Sequence, residues 1–411
     1  MTRFAWICSV AVFFTLIFAA QLSAQDEGAV EPKNEVERNA DNDAGEPEGD
    51  AADQVDKPKV SPRAMRVRAK GEIAVYNSYL GTSGKENRNA YNELGMIGEF
   101  AAGVSVNKGE KMRAEVRVCY SCHGLDVEQA YFEYRPSSAI HLRVGRFLLP
   151  LGNTNASAYQ GTMQTVSKPL TRAMGMMMRS REFNQGVLPA PASDNGISIG
   201  GSTDLEGIGS KLSYEVFAVR GFRSNGFDLN FISSRDYEDH NNEPGYGARI
   251  QIAGSGASLG FAYTGGTHDA GNGNNRYDIA VMDFRLSFNG VTIDGEVAGR
   301  RTEFDVPGED GEDHFNKAGA WLQIAFDVTD QWKLIVAGDG LHIGNAFLGP
   351  GGPTPTGGAF TTDNSNQVWR GTLGLNYITE EGILFKLAGE YWAFSDYKDS
   401  FVFQFGAVYS F

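Results

Sequence analysis

FVFQFGAVYSF, residues 401–411, sets Phe401, Phe403, Phe405, Ala407, Tyr409 and Phe411 at alternate positions, with Val402, Gln404, Gly406, Val408 and Ser410 between them. Successive side chains of a strand point to opposite faces, so this spacing makes one aromatic face and one small or polar face. The alternation recurs upstream. Ile383, Phe385, Leu387 and Tyr391 alternate with Lys386 and Glu390; Val291, Ile293 and Val297 with Thr292, Asp294, Glu296 and Arg300; Ala248, Ile250 and Ile252 with Arg249 and Gln251. The polar partners are charged too often for the dry interior of a sandwich. No stretch after the first residues offers the roughly twenty consecutive apolar residues of a spanning helix. The pattern predicts an all-β fold, a transmembrane antiparallel up-and-down β-barrel with lipid outside and water inside.

About sixteen strands are expected, starting near residues 70, 93, 110, 126, 139, 194, 210, 244, 256, 275, 290, 314, 331, 366, 381 and 401. Short turns at 107–109, 136–138, 254–255, 289–290 and 329–330 contrast with long connections at 81–92, 148–193, 221–243, 301–313 and 344–365. Short on one side and long on the other is the pattern of periplasmic turns and extracellular loops. An even strand count places both termini in the periplasm.

The first residues predict export. Phe4 to Ala20 is nearly all apolar after Arg3, and Leu22, Ser23 and Ala24 offer a small-residue cleavage site, so 1–24 reads as a signal peptide. Residues 25–60 hold twelve acidic against four basic residues and no aromatic, too little apolar surface to offset chain entropy. Hence 25–69 is expected to be a disordered, acidic periplasmic linker, and 70–411 the barrel in the bacterial outer membrane, among lipid and lipopolysaccharide. Cys8 leaves with the signal, and only Cys119 and Cys122 remain.

The stretch DVEQAYFEYRPSSAIHLRVGRFLLPLG, residues 126–152, resembles the strand-turn-strand signature of the phosphate-selective porin family. The resemblance implies sixteen strands, a trimer, and a long loop after the fifth strand that folds inward to narrow the pore. Phe411, after its alternating strand, is similar to the C-terminal signal by which outer-membrane barrels are recognised for insertion. On the expected inward loop, Lys168, Arg172, Arg179 and Arg181 would set local charge. Arg113, Arg117, Arg143, Arg249, Arg285, Arg300, Arg370 and Lys386 face the lumen by this register, but so do Glu115, Glu133, Glu215, Asp283, Asp294, Glu296, Asp339 and Glu390. A wall of mixed sign gives a weak and local field, so it specifies no ion preference.

Cys119-Tyr120-Ser121-Cys122-His123 is a CxxCH sequence, the attachment pattern of c-type haem, in which two thioethers hold the ring and His123 is an axial ligand of the iron. Met174, Met176, Met177 and Met178, with Met163 earlier, are candidates for the second axial position, although Met also fills irregular constrictions. The alternative is a Cys119–Cys122 disulfide at a loop tip, and a metal site is a third reading. The arrangement is similar to cytochrome–porin proteins, which implies electron transfer to periplasmic carriers, whereas a haem-free barrel would pass small solutes or ions. His141 begins a strand near the periplasmic rim, and His240, His268, His314 and His342 lie in or beside long loops and are expected to be solvated.

Enzyme signals are weak. Two G-x-S-x-G matches, 196–200 and 256–260, fall on expected strands rather than at a strand-to-helix elbow. No phosphate loop, dinucleotide fingerprint or basic patch for nucleic acid is present in the sequence.

Overall fold

The computed structural model describes residues 65–82, 95–121, 124–156, 159–172, 186–189, 191–224, 229–231, 234, 243–268, 275–305, 312–344, 366–394 and 399–411. The expected signal peptide and most of the acidic linker lie outside them. Sixteen strands are described: β1 (Met65–Thr82), β2 (Gly95–Lys108), β3 (Met112–Ser121), β4 (Gly124–Ser137), β5 (Ile140–Leu148), β6 (Ser193–Leu205), β7 (Ser210–Val219) and β8 (Gly245–Ala253), then β9 (Ala257–Thr267), β10 (Arg276–Phe288), β11 (Val291–Asp305), β12 (Glu312–Asp327), β13 (Trp332–Gly344), β14 (Asn366–Ile378), β15 (Ile383–Phe394) and β16 (Ser400–Ser410). Each pairs antiparallel with its neighbours in sequence, and β1 closes on β16. Closure satisfies the edges that an open sheet would expose.

Strand β16 shows how the alternation builds the wall. Phe401, Phe403, Phe405 and Tyr409 are exposed outward, while Val402, Gln404 and Val408 are buried inside. Leu387 and Tyr391 of β15, and Trp369 and Leu373 of β14, continue the apolar outer belt. At the closure Gly71 and Phe411 exchange backbone hydrogen bonds of 2.8 and 2.9 Å. Strand β1 starts at Met65 rather than near 70 and reaches past this last pair.

Two local signals fix the register. Asn289 and Gly290, both at positive φ, form a two-residue hairpin turn between the paired Phe288 and Val291. Gly145 of the LRVG stretch has φ 121°, and a Cβ there would run into the Ala130 carbonyl oxygen. The strand alternation breaks after it, so that Arg146 and Phe147 are both buried.

The interior differs from a simple water-filled tube. At the short-turn end the inward residues are polar, as with Asp283 and Arg285 of β10. Toward the long-loop end the same strands turn Phe217, Val219, Tyr277, Ile279, Val281, Leu341 and Val368 inward, in one buried apolar cluster. Two long connections fill it: 149–192 contributes Leu149, Leu151, Leu170, Val187 and Leu188, and 220–244 contributes Phe222, Leu229 and Phe231. A purely water-filled lumen does not hold toward the long-loop end. The alternation of β7 and β10 is apolar on both faces there, and only tertiary contact with folded-in loops explains that.

Candidate functional site

The loop 149–192 is held inside the barrel by polar contacts to strands around most of its circumference. At its base, Asn155 donates to the carbonyls of Leu149 and Ala192 at 2.7 and 2.9 Å, and accepts from the Ala192 N–H at 2.6 Å. Farther along, Gly161 donates its N–H to Glu72 on β1 at 3.0 Å. On β15, the buried Lys386 ammonium donates to the carbonyls of Gln160 and Met163 at 2.5 and 2.6 Å. Asn376 on β14 donates to the Gln164 carbonyl, and Ser167 hydrogen-bonds Gln404 on β16. Arg370 donates to the Lys168 carbonyl at 2.8 Å while pairing with Asp339, which itself accepts the Leu170 N–H at 2.8 Å.

The strongest anchor is Arg172. Its guanidinium donates twice to Glu296 on β11, at 2.9 and 2.6 Å, and Thr171 donates to the same carboxylate at 3.0 Å. Both side chains of the pair are 0% exposed. Gly152 makes room: a Cβ there would stand 2.7 Å from the guanidinium and 2.8 Å from the carboxylate. The expectation that Arg172 lines the pore is corrected here, because Glu296 takes its charge out of the lumen and into the loop's footing.

Several other lumen charges come in pairs. Arg113 and Lys70 meet Glu115, and Arg143 lies 3.0 Å from Glu133 and 3.1 Å from Glu215. Arg249 meets Asp283 at 2.6 Å and Arg285 meets Asp294 at 2.5 Å. Arg117 stands 3.6 Å from Glu128 and stacks on the Tyr159 ring of the inward loop at 3.4 Å. Burial pushes the Tyr159 phenol above its ordinary range, and the Glu128 charge adds to the shift. Lys168 is half-buried. Arg179, Arg181, Met174, Met176, Met177 and Met178 lie outside the described residues.

Cys119 points into the lumen from β3 and is 8% exposed. Its backbone pairs with Ala101 on one side and Asp126 on the other, and it lies close enough to Tyr159 to affect that phenol. Two residues farther, Ser121 pairs with Gly124; Cys122 and His123, between them, lie outside the described residues. Covalent haem needs a thiol reachable by a vinyl group and clear space for the porphyrin edge. Cys119 itself lies in a doubly paired strand beside the loop residue Tyr159. Met163 is itself buried.

Several sites were not legible in the sequence. Glu72 and Lys386 anchor the loop, but nothing local in the sequence names the Gly161 N–H or the loop carbonyls they meet. His268 is 4% exposed, not solvated, and donates to the Glu303 carbonyl at 2.7 Å. His314 and His342 are half-buried on β12 and β13, and His240 lies outside the described residues. Both G-x-S-x-G matches fall chiefly on strands, β6 and β9.

A closed sixteen-stranded antiparallel barrel with an apolar outer belt and a loop seated in its lumen defines a porin-like outer-membrane channel fold. The chain is similar to the anion-selective porin of Comamonas acidovorans, at 12% identity and a TM-score of 0.57, over 85% of this chain and 100% of that one. It is also similar to the outer membrane channel DcaP of Acinetobacter baumannii, at 12% identity and 0.56 over 84% and 97%, and to a trimer form of Vibrio cholerae OmpT, at 11% and 0.53 over 85% and 100%. At these identities the likeness is one of fold. An uncharacterized protein of Aquifex aeolicus is 32% identical over 100 residues, 24% of this chain and 19% of that protein. No family model matches the sequence.

Proposed function

We propose that this chain is a haem-free outer-membrane channel for small solutes and ions, whose passage is narrowed by the inward loop. The observation that carries the reading is the seating of 149–192 against β1, β11, β13, β14, β15 and β16 through buried polar contacts. A loop anchored at so many points is a fixed part of the channel wall. In this reading the short turns face the periplasm, the long loops face the exterior, and the outer belt meets lipid. Trimer assembly accords with the trimer form of the similar Vibrio cholerae protein.

Paired charges predict weak ion selectivity. Arg113, Arg117, Arg143, Arg249, Arg285 and Arg370 each have a carboxylate within 4 Å, so the lumen presents local dipoles rather than a ladder of one sign. Reversal potentials across a tenfold salt gradient should stay near zero. A potential close to the limit for one ion would contradict the assignment.

An electron conduit through haem on Cys119 and Cys122 with His123 is the competing reading, and the enclosure of Cys119 speaks against it. Full-length protein made with an intact maturation system is expected to give no pyridine haemochrome spectrum and a haem-free mass. Cys119→Ala should match it in both. A haem band present in the parent and lost in Cys119→Ala would replace the solute channel by the conduit.

A further inference from the structure

A cavity of about 550 Å³ lies at the short-turn end, beneath the base of the inward loop and against β5 to β8. That size is within the range of small-molecule sites. Its lining mixes polar and apolar surface, and most of its charged groups are paired; Lys211 and His141 have no ion pair among the described residues. Arg249 and Glu215 line it, but each is already matched, Arg249 by Asp283 and Glu215 by Arg143. Arg135, at the edge, pairs with Glu133.

What remains open is a set of groups that both donate and accept. Ser202 and Ser213 are register partners on β6 and β7, both line the cavity, and neither hydroxyl has a hydrogen-bond partner among the described residues. Gln251 donates to the Asn153 side-chain oxygen at 3.1 Å, which leaves its own carbonyl oxygen without a partner among those residues. Arg249 donates to the same Asn153 oxygen at 3.2 Å, so the inward loop and the wall hold the amides in place. Leu148, Leu149 and Pro150 add apolar surface to the same lining.

An ionic solute held by Arg249 or Arg135 would have to compete with the carboxylates on those guanidiniums, and Lys211 is the lining cation an anion could meet directly. A hydroxyl needs no such exchange. It can donate to Gln251 and accept from Arg249 or a serine, while ring C–H groups cover the apolar surface. We propose that this vestibule is a binding subsite for a small uncharged polyhydroxy solute of the mono- or disaccharide class. The inference rests on the channel reading above and names what pauses in that channel.

The test is single-channel recording of the full chain in planar bilayers with sucrose added on the short-turn side, beside a polyethylene glycol of similar size and inorganic phosphate. Sucrose is expected to reduce the current saturably, the glycol only in proportion to its effect on bulk conductivity. Ser202→Ala combined with Ser213→Ala should weaken sucrose about tenfold, as should Gln251→Leu, because each removes hydrogen bonds made to the solute. Block by phosphate without block by sucrose would overturn the proposal, because Lys211 at the cavity lining would then be reading an anion. Sucrose acting only like the glycol would also overturn it, while leaving the channel intact. Absence of any current would defeat the channel reading instead, and equilibrium dialysis of labelled sucrose against the detergent-solubilised protein would then decide the subsite: saturable retention supports it and none overturns it.

Discussion

Glu296→Ala is expected to raise single-channel conductance severalfold while leaving the barrel assembled. The carboxylate accepts two bonds from Arg172 and one from Thr171, in a site from which water is excluded. Removing it strands a buried guanidinium, and breaking a buried pair from one side costs about 3–5 kcal/mol. The loop relieves that cost by leaving the wall and carrying Arg172 into solvent. The ladder of β10, β11 and β12 does not depend on this contact, so heat-modifiable migration on gels should be kept. The paired replacement Arg172→Met with Glu296→Leu makes a sharper control. Apolar side chains of similar volume keep the footing without a charge, and such swaps are often neutral. Its conductance should return toward the parent value. Equal conductance in parent, single and double variants would show that the loop does not limit the passage.

Phe231→Ala should loosen the second folded-in loop. Phe231 is 1% exposed, meets Phe222 edge-on at 5.6 Å and lies under the Arg300 guanidinium at 5.1 Å. Phe222 in turn sits 5.4 Å from Tyr277 of the wall and donates its N–H to the Tyr277 hydroxyl at 3.3 Å. Truncating a buried Phe costs about 3–5 kcal/mol, through lost transfer free energy and the cavity left behind. A loss of that size is enough to loosen the loop's seat. Trypsin should then cut after Arg223 many times faster than in the parent, and conductance should rise. Unchanged cleavage would mean that the Asp194 contact to the Gly221 N–H, at 2.8 Å, suffices to hold the segment.

The sequence pattern carried the wall and missed what fills it. Strand positions were legible because a barrel strand between lipid and lumen must alternate: Phe401, Phe403 and Phe405 could face only one way. Asn289-Gly290 announced its turn for a steric reason. Lumen charges such as Arg249, Asp283, Asp294 and Glu390 are legible as inward for the same reason that the aromatics are legible as outward. Their pairing was not readable, since Arg172 and Glu296 are 124 residues apart and meet only when the loop turns inward. The apolar upper lumen was hidden as well. Ile279 and Val281 look like outer-face residues until the contacts of Leu188 and Phe231 are known. For Cys119 the register gave the direction of the side chain, whereas its neighbour Tyr159 on the inward loop is a tertiary fact.

Selectivity and subsite both depend on whether a passage exists and is limited by the seated loop. Single-channel conductance of the full-length protein in planar bilayers, recorded for the parent and for Glu296→Ala under the same salt, tests that most directly. Discrete steps in the parent and steps several times larger in Glu296→Ala are expected. No steps from either protein, or steps of equal size, would contradict a channel narrowed by the 149–192 loop.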